Sequence, residues 1–328
     1  MKNLILVLFS LLIVFSSCDE TKEERQAMLP KSSGNLNNIQ VVIENDLWSG
    51  EIGEAIRKIF AAPVDGLPQQ EPLYTINQLP PQSFEGFTQQ HRNFIYIQKG
   101  KDTNHRIATD LYAKPQKGIF ISAPTNEEII AVIEENAPEI LRDFYQMEVN
   151  EKHRRMSLSL LDVQPLKDSL GVSLKMPSVY RFAKITDDFA WLRKDIRSGD
   201  LNILVYEMPL SSFGNEETRM QEIIAMRDSI GKTHIPGPTE IEGSHMITEK
   251  AFSPYLFESQ VDGKFAYEVR GTWEVFNFYM AGPFISYIIK DEKNSRYLVI
   301  EGFTFAPSVS KRDYQFELDA IIKSAKIK

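Results

Sequence analysis

The sequence predicts an α+β protein built as two α/β sandwich-like halves with largely antiparallel sheets. Strand-like segments in the second half follow one another directly, joined by short polar turns. Apolar residues recur at helical spacing in both halves, including one segment at the very end of the chain. At 328 residues with 42% hydrophobic and 25% charged, the chain is long enough for two cores and too polar for a multi-spanning membrane protein. A net charge of −8 argues against nucleic acid as the main partner, since a phosphate-binding surface needs a basic excess.

In chain order, Ile39-Gln40-Val41-Val42-Ile43 reads as a strand. Ile52, Ala55, Ile56, Ile59 and Phe60 then mark one buried helical face. Pro63, Pro68, Pro72, Pro80 and Pro81 demand loop or extended chain, because proline lacks the ladder donor. Phe94–Ile97 and Gly118–Ile121 are strands. Thr125-Asn126-Glu127-Glu128 is a capping box, opening a helix that Pro138 should break or kink. Lys152-His153-Arg154-Arg155 closes this half as a solvated helix end complementing the macrodipole. A boundary falls near Leu161–Gly171.

In the second half, Asn202–Tyr206 is a strand, and Met220, Ile223, Ile224 and Ile230 mark a helix that Gly231 should stop as a C′ residue. Phe265–Arg270, Ile285–Ile289 and Tyr297–Ile300 are strands, the last two joined through a turn at Asp291–Ser295. Ser310 is expected to cap a last helix burying Tyr314, Leu318, Ile321, Ile322 and Ala325.

The first residues read as an export address. Met1-Lys2 precedes a run of 12 residues, Leu4 to Phe15, broken only by Ser10. A membrane-spanning helix takes about 20 apolar residues, so this run fits the core of a signal peptide. Ser16-Ser17-Cys18 follows, and Cys18 is the only cysteine. This pattern resembles the lipobox of bacterial lipoproteins, with Phe15 in place of the usual leucine. The resemblance implies cleavage before Cys18 and acylation of its thiol, which anchors the chain to a bilayer. The remaining chain then has no thiol for a disulfide or a thiolate metal site. The domain reading is 1–17 signal peptide, 18–38 lipidated cysteine and flexible tether, 39–160 N-terminal domain, and 165–328 C-terminal domain.

Two wider resemblances follow. Val299-Ile300-Glu301-Gly302-Phe303 and the last helix resemble the close of a PsbP/Mog1-type α/β/α sandwich. Trp48-Ser49-Gly50-Glu51-Ile52-Gly53, Gly66-Leu67-Pro68-Gln69-Gln70-Glu71-Pro72 and Arg270-Gly271-Thr272-Trp273-Glu274-Val275 carry a likeness over nearly the whole chain. Gly282-Pro283-Phe284, Glu301–Pro307 and Lys311-Arg312-Asp313-Tyr314 add to it. Together they resemble a family of uncharacterised lipoproteins of the Bacteroidota, catalogued as a domain of unknown function (4837). That family implies no reaction, cofactor or catalytic residue.

The residues themselves carry no catalytic motif. Gly231-Lys232-Thr233 lacks the opening glycine of a phosphate loop, Met226 standing in its place. The five histidines show no metal-ligand spacing, so no metal and no cofactor is expected. Glu268 and Glu274 share strand parity, and the same-face spacing leaves a glycosidase pair open, although a self-paired sheet surface is the plainer reading. Trp273, Phe276, Phe278, Tyr279, Phe284 and Tyr287 crowd one segment, either as core or as a stacking platform.

The expectation is therefore a non-catalytic envelope lipoprotein that binds or helps assemble a partner, with a candidate binding site at Arg270, Trp273, Glu274, Arg312 and Asp313. Two alternatives remain. A hydrolase of an envelope polymer needs a cleft with paired carboxylates. A glycan- or lipid-binding protein needs Trp273 or its neighbours exposed in a groove.

Overall fold

A computed structural model describes residues 28–328. The segment read as a signal peptide, and Cys18 after it, lie outside the described residues. The architecture is α+β, as expected: a mixed five-stranded sheet followed by an antiparallel eight-stranded sheet, with a two-stranded pair beside it.

The first sheet contains β1 (Asn38–Val42), β2 (Thr75–Leu79), β3 (Asn93–Lys99), β4 (Asn104–Thr109) and β5 (Lys117–Ala123), in the order β2-β1-β3-β5-β4. It corrects the antiparallel expectation for this half. β1 runs parallel to β2 and β3, and β3 parallel to β5; only β4 is antiparallel. Parallel neighbours need crossovers. Helices α1 (Asn45–Ser49) and α2 (Glu51–Phe60) carry the chain from β1 over to β2. β2 is hidden in the sequence by its prolines. Pro72 and Pro80 flank a five-residue edge strand, which tolerates them because one side of its ladder is empty.

Helix α3 (Asn126–Met156) lies on the same sheet face as α2. Thr125 caps it, accepting from Glu128 N at 3.2 Å. It runs unbroken through Pro138, against expectation. Pro138 and Glu134, whose carbonyl loses its donor, both sit on the exposed side, where water replaces the missing bond. The buried stripe of Ile129, Val132, Ile133, Ile140 and Phe144 continues across that point. Burying one such side chain contributes about 1.5–3 kcal/mol, enough to hold the helix together through one lost bond.

Residues expected to form the end of a free tether are fastened down. Lys31 bridges to Lys114 and Ser33 to His91. Arg92 donates to the carbonyls of Gly34 (3.3 Å) and Asn35 (2.8 Å). The Glu148 carboxylate of α3 accepts from Asn37 N, from Asn93 Nδ2 and from Arg92 twice. Composition could not reveal this, because the attachment uses backbone groups and one buried ion pair rather than apolar side chains.

The second sheet has the path β10-β12-β13-β14-β9-β8-β7, with β11 also on β12. Its strands are β7 (Arg181–Ile185), β8 (Phe189–Ile196), β9 (Gly199–Pro209), β10 (Met246–Thr248), β11 (Tyr255–Val261), β12 (Lys264–Val275), β13 (Phe278–Asp291) and β14 (Arg296–Phe305). β6 (Val172–Ser173) pairs with β15 (Lys326–Ile327). Helices cover both faces. Helices α4 (Gln164–Leu170) and α6 (Arg312–Lys323) share a core with one face, and α5 (Arg219–His234) with the other.

Two helix-end expectations fail here. Gly231 lies inside α5, which ends at His234. A Cβ at Gly231 would stand 2.0 Å from the Met246 carbonyl oxygen, so this glycine serves close approach to β10. Ser310 does not cap α6. Glu71, far away in sequence, accepts from Lys311 N at 2.7 Å and Arg312 N at 2.9 Å. A carboxylate there satisfies orphan donors and meets the positive end of the helix dipole. Glu71→Ala should cost about 1 kcal/mol, read as an earlier urea midpoint at unchanged slope; an unchanged midpoint would mean the cap is not energetically engaged.

Candidate functional site

The two sheets meet along a seam formed by α3, α6, β12 and the loop 61–73. At its lower end Lys152 of α3 reaches Glu317 of α6 at 2.7 Å, and His153 Nε2 lies 2.6 Å from the Ala320 carbonyl. Arg154 and Arg155 both bind Glu151. Of the basic run read as a solvated helix end, Lys152 and His153 clamp to the other half, while Arg154 and Arg155 stay exposed on α3. Arg154 and Arg155 hold the Glu151 carboxyl down to about 2. Burial alone would raise Glu317, but Lys152 and Lys194 outweigh it and keep its carboxyl below the ordinary range.

A depressed carboxyl stabilises the fold above its unfolded value, about 4.3 for Glu, and that stabilisation is lost as pH falls through the folded value. Wild type should therefore exceed Glu317→Gln in melting temperature at pH 6, and the gap should shrink steadily as pH falls below about 4. A gap that stays the same from pH 6 to pH 2 would show that the ion pairs are not its source.

Higher on the seam, a cavity of about 120 Å³ is lined by Asn37, Tyr74, Tyr145, Arg270, Arg312 and Asp319, among others. Asp319 accepts from Tyr145 Oη at 2.8 Å and Tyr287 Oη at 2.7 Å, with Arg270 at 3.7 Å. Burial pushes the Asp319 carboxyl up, opposed by Arg270. Burial and Asp319 together hold both phenols well above their ordinary values, so both remain donors. Arg270 also binds Glu268 at 2.7 Å. Arg312 donates to Pro72 O and Thr75 Oγ1, and Asp313 accepts from Asn37 Nδ2.

Next to this cavity a cleft of about 380 Å³ opens between the loop Pro63–Gln70 and the β10–β11 edge. Phe252, 75% exposed, and Tyr255, 50% exposed, form one wall. Gly66 brings the loop onto β12: it has φ +81°, and a Cβ there would lie 2.8 Å from Arg270 Cβ. Only glycine meets both conditions without strain.

Of the residues singled out in sequence, Arg270 and Arg312 line one cavity, and Asp313 bonds a third lining residue. Trp273 and Glu274 stand apart. Trp273 is 2% exposed, edge-on to Phe303, and donates to Thr304 O at 3.3 Å. It is core, which closes the stacking-platform reading at that residue. Glu274 is half-buried on the opposite face of β12, in register with Ile247 and Ala281.

The carboxylates do not form the pair a glycosidase needs. Glu268 and Glu274 are about 20 Å apart along β12 at roughly 3.3 Å per residue. Glu301 lies on the other sheet face, buried against Arg227 at 2.8 Å. Sequence reasoning missed Asp319, Tyr145, Phe252 and Tyr255. No local motif marks them, and only Glu71 sat within a segment already picked out.

A model of the family described as "Domain of unknown function (DUF4837)" matches residues 159–324, which is half of the chain. The chain belongs to that family. A second model, "Domain of unknown function (DUF8532)", matches residues 32–157. The DUF4837 match spans the antiparallel sheet, and the DUF8532 match the mixed one. No curated protein matches the chain. Among solved structures, the Saccharomyces cerevisiae Ran-binding protein Mog1p is similar at 9% identity and a TM-score of 0.31, over 48% of this chain and 89% of that one. A Clostridium butyricum Argonaute bound to guide and target DNA is similar at 10% identity and a TM-score of 0.16, over 90% of this chain and 46% of that one. At such scores neither likeness bears on what this DUF4837 protein does.

Proposed function

We propose that this chain is a lipid-anchored, non-catalytic binding module of the cell envelope, which holds a protein partner in the cleft between its two halves. The observation that carries the reading is that cleft. Its wall of exposed Phe252 and Tyr255 faces the Pro63–Gln70 loop, a combination of apolar wall and open mouth that suits a partner's side chains. The charged groups beside it are already matched to each other: Arg270 with Glu268 and Asp319, Arg312 with Asp313. They are suited to holding the halves in register rather than to reacting.

Anchoring is read from the sequence pattern ending in Ser16-Ser17-Cys18. Several acyl chains on Cys18 would hold the chain firmly, at about 0.8 kcal/mol per buried CH₂. The C-terminal half is read as a PsbP/Mog1-type sandwich, supported by helices on both faces of its sheet.

The test is cross-linking in the native envelope followed by mass spectrometry, with Cys18→Ala as the mislocalised control and Phe252→Ala/Tyr255→Ala as the cleft variant. One partner, captured by wild type and lost in both variants, is the expected result. Equal capture by the cleft variant would overturn the reading.

A further inference from the structure

The mixed sheet has a second face. Helices α2 and α3 cover one side, while among the described residues the other is covered by loop residues such as Phe84 and Tyr112 at one end. The uncovered end forms a groove of about 450 Å³. Its floor is set by strand register. Tyr96 of β3, Phe120 of β5 and Arg106 of β4 stand side by side in one row across the sheet. One pleat further on, Gln98, Ser122 and Asn104 form the next row.

The first row is a stack of two rings and a guanidinium. The Tyr96 and Phe120 rings are 5.7 Å apart and only 31° from parallel, and both are half-buried. The Arg106 guanidinium lies 4.2 Å from the Phe120 centroid and is exposed. Tyr112 closes the far side, edge-on to Phe84 at 5.6 Å. The second row is polar and uncharged, with the amides of Gln98 and Asn104 both exposed. Gln89 adds a third amide at the rim. Among the described residues, Arg106 is the one charged residue lining the groove and no carboxylate lines it, although the chain as a whole carries −8.

We propose that this groove binds a neutral pyranose glycan. A sugar ring has an apolar C–H face and a belt of hydroxyls. Tyr96 offers its ring to the first, while the Phe120 face beside it is covered by the Arg106 guanidinium. The amides of Gln98 and Asn104 offer donor and acceptor together, which suits hydroxyls that also do both. Arg106, seated on Phe120, presents a planar set of donors beside the rings. A peptide groove would instead offer an open strand edge or apolar pockets. Of the strands beneath the groove, β3 and β5 are paired on both sides and only β4 is an edge, and the row beside the rings is polar rather than an apolar pocket. The site is on the mixed sheet, away from the seam cleft, and does not depend on the function proposed there.

The full-length chain would be titrated by calorimetry with cellohexaose, N-acetylchitohexaose and hexagalacturonate. The expected result is binding of at least one of the two neutral hexasaccharides. Affinity should fall tenfold or more in Tyr96→Ala and in Gln98→Ala/Asn104→Ala. The second variant changes only exposed amides, so its melting temperature should match wild type and a folding defect cannot explain its loss. Failure of both neutral sugars, binding confined to hexagalacturonate, or affinity unchanged in Gln98→Ala/Asn104→Ala would each overturn the assignment.

Discussion

Glu148→Gln should lower stability by about 3–5 kcal/mol, the typical cost of breaking a buried ion pair from one side. The Glu148 carboxylate is fully buried and takes four hydrogen bonds, two of them from Arg92, which is itself 1% exposed. The amide of glutamine replaces one accepting oxygen with a donor. It then faces Arg92, Asn93 or Asn37 N with the wrong polarity and leaves a buried guanidinium without its counter-charge. The same change loosens residues 31–37, in which Arg92 holds the carbonyls of Gly34 and Asn35. Two readouts follow. Thermal unfolding should shift down by on the order of 10 °C. Amide exchange at residues 31–37 should accelerate more than in β12. A uniform acceleration would mean that Glu148 supports the whole fold and not the strap in particular.

Arg227→Met should produce a loss of similar size, about 3–5 kcal/mol, for a related reason in the other half. Arg227 of α5 binds Glu301 through Nε at 3.0 Å and Nη2 at 2.8 Å, and Thr248 Oγ1 through Nη1 at 3.0 Å. Its guanidinium also sits 3.7 Å from the Phe284 ring centroid. Methionine keeps much of the stem packing but strands Glu301 as an anion in the core. The double variant Arg227→Met/Glu301→Leu removes both charges and should recover most of the loss, because a buried pair and a well-packed apolar pair are often close in energy. Urea unfolding of the single and double variants gives the coupling directly. A double variant as unstable as the sum of its singles would mean the two residues are not coupled.

These groups also mark what could be read from the sequence and what could not. Local rules worked where the cause was local. The spacing of Ile52, Ile56 and Phe60 located α2, and Thr125 with Glu128 located the start of α3. The turn before Arg296 was visible from its polar run and is completed by Ser295 in the left-handed region. Failures came where the cause was distant. Glu71 caps a helix that begins 241 residues later, so Ser310 was the nearer and wrong candidate. Gly231 answers to the backbone of β10 and not to a helix end. The parallel pairing of β1, β2 and β3 depends on a crossover through α1 and α2, and a five-residue strand between prolines leaves almost no periodic signal.

The candidate site divides in the same way. Arg270 and Arg312 came from segments chosen by resemblance, and the fold brings them to one cavity. Trp273 stands in an aromatic-rich segment. A register shift lies next to it, between Glu274 and Val275, but strand parity turns the indole into the core. Parity is legible in a sequence; which parity faces solvent is not, until both covering helices are known. The exposed aromatics at the cleft, Phe252 and Tyr255, lie in and beside a short break between two strands that share one neighbour, β12. Nothing in their local pattern separates them from core aromatics.

The most direct test is a photo-crosslinking amino acid placed at Phe252 in the full-length chain in its native envelope, compared with the same group at Val179, exposed on another part of the second half. A binding cleft at the seam predicts one discrete adduct from position 252 and none from position 179. Adducts of equal yield from both positions, or none from position 252 while the chain remains in the envelope, would contradict it.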